Sequence, residues 1–532
     1  MRHRFHPIVG YNLFQWVAGM VIVFNMKQLK LSAFVFMASG CLSLTIALMP
    51  VQQVLAEKVL RVGLVSLPNG LGDPYRENNI PSIYTTAAIF DGLTRFDREG
   101  VLQPWLALSW SQIDPSTWRF KLRPQVTFQD GTPFNAAAVV SVVDYLTSDA
   151  AKREGVAREL STISGAQAVD DLTVDIHTHT PDPLLPRSMP LLYAVQPDVW
   201  KTKGPDGFAQ APIGTGPFKL ERWSSARADL VAYKNAWNPP KADRLILTPM
   251  PEVDTRLQAL ASGAVDIAVI VGPDDVATIE GQGGKVVTAV EPVTIGLSLI
   301  TTKPGPLQDK RVRQALNYGV DRQQIVAKLF GGRTVAGTGT ATTGAIGYDP
   351  GLQAIPYDPA RAKALLAEAG YPNGFKMVAE IVVGGSPGDG AMYQQVAADL
   401  SKIGVDLELR IIPIQKLLTN VLSGAWAGNA FGMSFDETPS IDALRPIKVH
   451  SCLWPAPWYC DKTIMPKIEA AMHEPDLDKR VALTREIVDY YREEAPLLSL
   501  YQIVRYFGLS SKVRGFDEVN GFIDYANIDL TR

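Results

Sequence analysis

Cysteine, histidine and surplus positive charge are all scarce in this 532-residue chain, and each scarcity excludes something. Lys and Arg number 51 against 54 Asp and Glu, so no cationic face is available for a nucleic-acid backbone. Only three Cys and six His are present, and a zinc site on a cysteine pair would normally need two further ligands nearby. There is no His-Glu-x-x-His run, and the glycine pair at Gly214 and Gly216 is not followed by the Lys-Ser/Thr of a phosphate loop. No internal repeat or low-complexity tract suggests a solenoid.

Acidic residues are missing altogether from positions 1 to 56, which hold Arg2, Arg4, Lys27, Lys30 and long apolar runs. From Met26 the order is a basic stretch, an apolar run from Leu31 to Met49, and a small-residue exit at Val54-Leu55-Ala56. That order is the pattern of a cleavable secretory signal, so residues 26–56 are expected to be removed and the mature protein to begin at Glu57. Residues 1–25 read as an upstream extension. A pair of uncleaved membrane helices and lipid attachment at Cys41 are the alternatives. Without residues 1–56 the chain carries 47 Lys and Arg against 54 Asp and Glu, a mildly acidic composition. Its length suits two to four units at about 150 residues per domain.

Removing the signal leaves two cysteines, Cys452 and Cys460, eight positions apart with Pro455 and Pro457 between them. In an oxidising compartment this spacing predicts a disulfide that clamps a loop, with a metal pair as the alternative. His450 is the one further ligand nearby. His177 and His179, two apart on a predicted strand, read as a solvated strand end or an adventitious metal pair.

Strand and helix signals alternate along the chain. Val59–Val65, Trp118–Leu122, Leu230–Tyr233 and Leu245–Met250 read as strands. Ala136–Leu146, Thr255–Ser262, Val312–Tyr318, Pro359–Ala369, Met392–Ile403 and Lys479–Glu494 read as helices. Interleaving of this kind implies α/β layers. Arg311, Arg313 and Arg322 are expected to cap or pair on a helix surface.

Four linked blocks then carry a resemblance: Ile89 to Asp97, Leu102 to Trp110, Trp118 to Arg123, and Val126 to Phe134. Later blocks follow in order: Ala211 to Phe218, Arg256 to Asp266, Asp309 to Leu316 with Val320-Asp-Arg322, Asp358 to Leu366, Leu400 to Leu409, and Ala495 to Leu498. In order and spacing the chain resembles the family 5 extracellular solute-binding proteins of bacterial ABC importers, which bind peptides, nickel complexes or opines.

The resemblance implies an α/β, two-lobed fold of the class II periplasmic-binding type, with an extra N-terminal subdomain and a hinge. One lobe would be discontinuous (57–83, 212–298 and 499–532), carrying residues 84–211 as the added subdomain; the second would span 299–498. It further implies a periplasmic monomer without cofactor or catalytic activity. Such a protein closes on a small solute and delivers it to a membrane permease and its ATPase. A di- or oligopeptide is the first choice of solute. Nickel chelate, opine, glutathione or a sugar derivative, and a chemosensory role on the same fold, remain alternatives.

Asp436 is the sharpest site candidate, because it stands where dipeptide-binding members carry an aspartate that pairs with the peptide ammonium. Met433 and Phe435 depart from that pattern, and Asp436 can equally cap the turn before Pro439. Trp454, Trp458 and Tyr459, near the cysteine loop, are candidates for stacking walls or for lobe packing. His450 falls near where a nickel-chelate-binding relative places a histidine.

Overall fold

The computed structural model describes residues 57–531. The signal segment and Cys41 lie outside the described residues.

A ten-stranded mixed sheet runs through the molecule. From one edge it passes through Val405–Ile411, Phe375–Ile381 and Ala430–Asp436 to two long central strands, Lys285–Leu299 and Leu497–Leu509. It continues through Ile267–Val271, Val59–Leu64, Arg244–Pro249, Arg227–Ala232 and Phe218–Ser224. The two central strands pair antiparallel from Lys285 opposite Leu509 to Ser298 opposite Leu497. Each therefore belongs to one half of the molecule at one end and to the other half at the other. Leu497–Leu509 is buried almost throughout and Lys285–Leu299 from Glu291 onward, which fits their apolar sequences, since a strand covered on both faces needs no polar alternation.

Two large cores lie on either side of this crossing. The first gathers Leu60, Phe120, Val143, Leu247 and Phe507, and includes an added four-stranded antiparallel sheet ordered Ala107–Asp114, Thr117–Leu122, Thr173–Thr178 and Ile163–Asp170. The second gathers Leu297, Val312, Met377, Val396 and Tyr501. A third, smaller cluster forms around Phe431, Trp458 and Tyr491. The result is a two-lobed α/β arrangement with an added subdomain. Among the described residues no helix is long and apolar enough to cross a membrane.

Local chemistry explains where the helices begin. Asn135, Asp309, Asp321, Asp358 and Asp476 each accept a backbone N–H in the first turn that follows. Such a cap is worth about 1 kcal/mol. The Gly214-Thr-Gly216 passage presses on the backbone of Ile89: a Cβ on Gly214 would lie 2.1 Å from the Ile89 carbonyl oxygen. Buried Gln129 locks that passage, its amide donating to the carbonyls of Ile89, Gly216 and Phe218.

Two arginines expected on a helix surface are buried instead. Arg322 is 2 % exposed and donates to the Ser499 and Asn317 carbonyls and to Asn317 Oδ1. Arg313 is 3 % exposed and reaches the Glu494 and Leu307 carbonyls. A guanidinium with five donors can satisfy several stray carbonyls at once, so both act as clamps: Arg322 ties its helix to the strand Leu497–Leu509 at Ser499, and Arg313 ties its helix to the end of the helix Leu477–Glu494. Burial pushes Arg322 down to about 9. Arg311 does stay on the surface, paired with Asp309 at 2.6 Å.

Candidate functional site

Between the halves lie two adjoining cavities of about 270 and 290 Å³ that share Glu291 and Asn520 in their walls. Together they reach the size range of small-molecule sites. Their walls come from both halves and from the crossing strands: Ile83, Phe96 and Phe522 on one side, Asp436 and Pro439 on the other, Glu291 and Arg505 between. Glu291 is presented by an irregularity in the long strand. Pairing with Leu497–Leu509 breaks between Val290 and Thr294, so the backbone bulges where the cavities meet.

Asp436 ends its strand opposite Val293 and faces the larger cavity, with its side chain 43 % exposed. Its Oδ1 accepts from Thr438 N at 2.8 Å and Thr438 Oγ1 at 2.6 Å, so it shapes the turn toward Pro439. Oδ2 lies 3.7 Å from Arg445. One oxygen is thus committed to a turn while the other keeps acceptor capacity toward the cavity.

The halves also touch around the cavities. Arg187 donates to the Ser440 carbonyl at 2.6 Å and stacks over Phe96 at 4.8 Å. Burial lowers its pKa to about 10. Arg445 reaches across to Glu159 at 3.0 Å, a partly exposed pair worth about 1 kcal/mol or less. Phe96, Ala345 and Ile441 form a small apolar contact between the same walls. Next to Asp436, Glu437 is fully buried and accepts from the backbone and hydroxyl of Thr342. Burial raises its pKa to about 8.

The remaining sequence candidates come together, but away from Asp436. Met433 is half-buried and Trp454 partly buried against the third cluster, which contains Trp458 and Tyr459 at 2 % and 4 % exposure. Trp454 Nε1 donates to the Val421 carbonyl at 2.7 Å. Trp458 Nε1 donates to His450 Nδ1 at 3.1 Å, while Phe435 stacks on the imidazole at 3.7 Å. None of these five residues lines the two cavities that meet at Glu291.

His450 is 3 % exposed, and burial lowers its pKa to about 3. Because Nδ1 accepts from Trp458, the single proton sits on Nε2, which finds no partner. The neutral ring contributes stability that is complete above about pH 6.5 and is lost as pH falls toward about 3, because only the unfolded chain takes up the proton in that window. Its NMR signals are expected to stay fixed between pH 8 and pH 5; a titration near pH 6.5 would show an exposed ring. Among the described residues no group of three or more His, Cys, Asp or Glu side chains is placed to hold a metal ion. His177 contacts Thr117 Oγ1 at 3.1 Å on the added sheet.

Cys452 and Cys460 form a disulfide that closes the loop carrying Trp454 and Trp458. Replacing both by Ser is expected to cost about 2 to 3 kcal/mol for so short a loop, read as a lower denaturant midpoint. Thiol labelling of the chain from Glu57 onward without reductant checks the bond, with no reactive thiol expected.

One motif escapes the sequence reading above. Gly384-Gly385-Ser386-Pro387-Gly388 has the form Gly-x-Ser-x-Gly, the signature of a nucleophilic serine. In the structure it is a turn capping the helix Asp389–Ser401: the Asp389 carboxylate accepts from the backbone N–H of Gly384, Gly385 and Ser386. That carboxylate is committed to the turn, and no His among the described residues hydrogen-bonds the Ser386 hydroxyl, so no charge relay is assembled there.

Glu291, Arg505, Glu518 and Arg187 were not singled out from sequence. The one available signal was a lone acidic residue followed by proline, Glu291-Pro292, inside an otherwise apolar strand.

Comparison with known proteins agrees with this architecture. The glutathione-binding protein GsiB of Escherichia coli K12 is 32 % identical over 314 residues, covering 57 % of this chain and 60 % of the relative. The chain thus matches less than two thirds of that relative's length. The substrate-binding protein CtaP of Listeria monocytogenes superposes with a TM-score of 0.80 at 19 % identity, covering 90 % of this chain and all of the other. The periplasmic binding protein DppA of Helicobacter pylori, solved with a bound peptide, superposes with a TM-score of 0.68 at 22 % identity, covering 89 % and 98 %. The pattern of the bacterial extracellular solute-binding proteins, family 5, matches residues 101–447, and the chain belongs to that family.

Proposed function

We propose that the protein is the periplasmic solute-capturing component of an ABC importer, taking an amine-bearing solute, first of all a di- or oligopeptide, between its lobes. The observation that carries this reading is the placement of Asp436, an incompletely committed carboxylate on the wall of the inter-lobe cavity. A carboxylate shielded from water forms a strong charge-assisted contact with an ammonium. The glutathione-binding and peptide-bound relatives support the same class of solute.

In this reading residues 57–83, 212–298 and 499–532 form one lobe, with 84–211 added to it, and 299–498 form the other. The two crossing strands serve as the hinge. Arg187 at Ser440 and Arg445 at Glu159 are contacts of the closed form, so a ligand that touches both walls shifts the population toward it. The closed monomer then docks on a permease served by an ATPase, and the protein itself performs no chemistry.

Calorimetry of the purified mature protein with di- and tripeptides tests the reading. Saturable one-to-one binding accompanied by a smaller radius of gyration in X-ray scattering is expected. Binding of a nickel chelate with no response to any peptide would replace the peptide assignment by the metal one.

A further inference from the structure

Two buried carboxylates, Glu291 and Glu518, stand on the wall opposite Asp436. Glu291 and Glu518 are 3 % and 2 % exposed; Arg505 borders the second cavity with Glu291, Arg98 borders the first with both carboxylates while pairing with Asp517 at 2.6 Å, and Arg95 lies within Coulombic reach of Glu518. Arg505 Nε stands 3.0 Å from Glu291 Oε1 without the alignment of a hydrogen bond. Glu518 Oε1 accepts from Gly521 N, but Glu518 Oε2 has no partner at all. A buried carboxylate oxygen left unpartnered is costly, and Glu518 Oε2 is such an oxygen on a residue of the cavity wall.

The groups facing this pair come from several elements. Arg505 and Tyr84 present a cation and a phenol, with Arg505 Nη1 3.4 Å from the Tyr84 hydroxyl. Asp436 and Asp517 add negative charge from the neighbouring strand end and the C-terminal segment. Burial, and then the proximity of Glu291, raises the Glu518 pKa to about 8. Glu291 is also raised by burial, although Arg505 pulls it back. Glu518 is therefore the carboxyl of the pair that keeps its proton up to about pH 8, and a cation brought beside it would take the proton's place.

We infer that Glu291 and Glu518 form a second anionic subsite, which receives the cationic side chain of a solute whose ammonium is held at Asp436. The inference rests on the peptide reading above and narrows it: peptides that begin with a basic residue are preferred over neutral ones. Both carboxyls border the cavity that also touches the crossing strands, so filling the subsite ties the solute to the hinge as well as to the second lobe.

Calorimetry with Lys-Ala, Ala-Ala and the diamine cadaverine tests this on the wild-type protein and on Glu291→Gln and Glu518→Gln. Wild type is expected to bind Lys-Ala about tenfold or more tighter than Ala-Ala, and the ratio should grow from about pH 6 to about pH 9 as Glu518 gives up its proton. Glu291→Gln should erase most of that ratio. Equal affinity of wild type for the two dipeptides overturns the inference while leaving the peptide reading in place. So does a ratio unchanged in both variants. If neither dipeptide binds but cadaverine does, in a Glu291-dependent way, the subsite stands and the peptide reading falls. Binding of none of the three overturns both.

Discussion

Replacing Asp436 by Asn is expected to weaken binding of an amine-bearing solute by about thirtyfold or more, the lower part of the range for breaking a desolvated charge pair. The lower part applies because Asp436 is 43 % exposed in the structure and already shares its field with Arg445. Asparagine keeps a side-chain carbonyl at the position of Oδ1, so the contacts from Thr438 N and Oγ1 survive and the turn before Pro439 is retained. What disappears is the charge facing the cavity. The substitution therefore separates the two roles of this residue: a turn-former alone would leave affinity within a few-fold, whereas a counter-charge would not. Calorimetry on both proteins with one dipeptide reads the difference, and an unchanged denaturant midpoint shows that the fold is intact.

The second large effect is on stability. Trp458→Ala should destabilise the protein by about 3 to 5 kcal/mol, the usual cost of emptying a buried aromatic site. Trp458 is 2 % exposed, packs edge-on against Phe431 at 5.0 Å, and supplies the shorter of two hydrogen bonds at His450 Nδ1, 3.1 Å against 3.5 Å for Ser298 Oγ. Its loss leaves a cavity and removes the better hydrogen bond of the imidazole nitrogen together. Denaturant unfolding measures the loss. If Trp458 were a stacking wall for the solute, the same change would lower affinity sharply and stability only a little.

These two residues also show what could be read before folding. Helices with a local origin were legible: Ala136–Leu146 begins and ends where its pattern says, and Pro359–Glu368 starts after the Asp358 cap as expected. The long strands Lys285–Leu299 and Leu497–Leu509 were not, because their burial depends on partners more than 170 residues away in sequence, and an apolar run alone does not specify a strand. The same limit governs the site. Asp436 was singled out through a resemblance carried by one short run, whereas Glu291, Arg505 and Glu518 are brought together by three separate segments and have no common signature. The arginines misled for a related reason: charge suggests surface, yet Arg313 and Arg322 are buried because nearby carbonyls need donors. His450 and the aromatic residues near the disulfide share one sequence neighbourhood with Asp436, but the fold turns them into a lobe core.

The central claim is that a small amine-bearing solute sits between the lobes. Native mass spectrometry of the protein purified without denaturation from the envelope of its own cells tests it most directly. The account predicts a mass excess of one small peptide-like molecule that disappears on unfolding and is absent when Asp436→Asn is purified in the same way. A wild-type protein of apo mass that acquires no such molecule when incubated with a peptide mixture would contradict it.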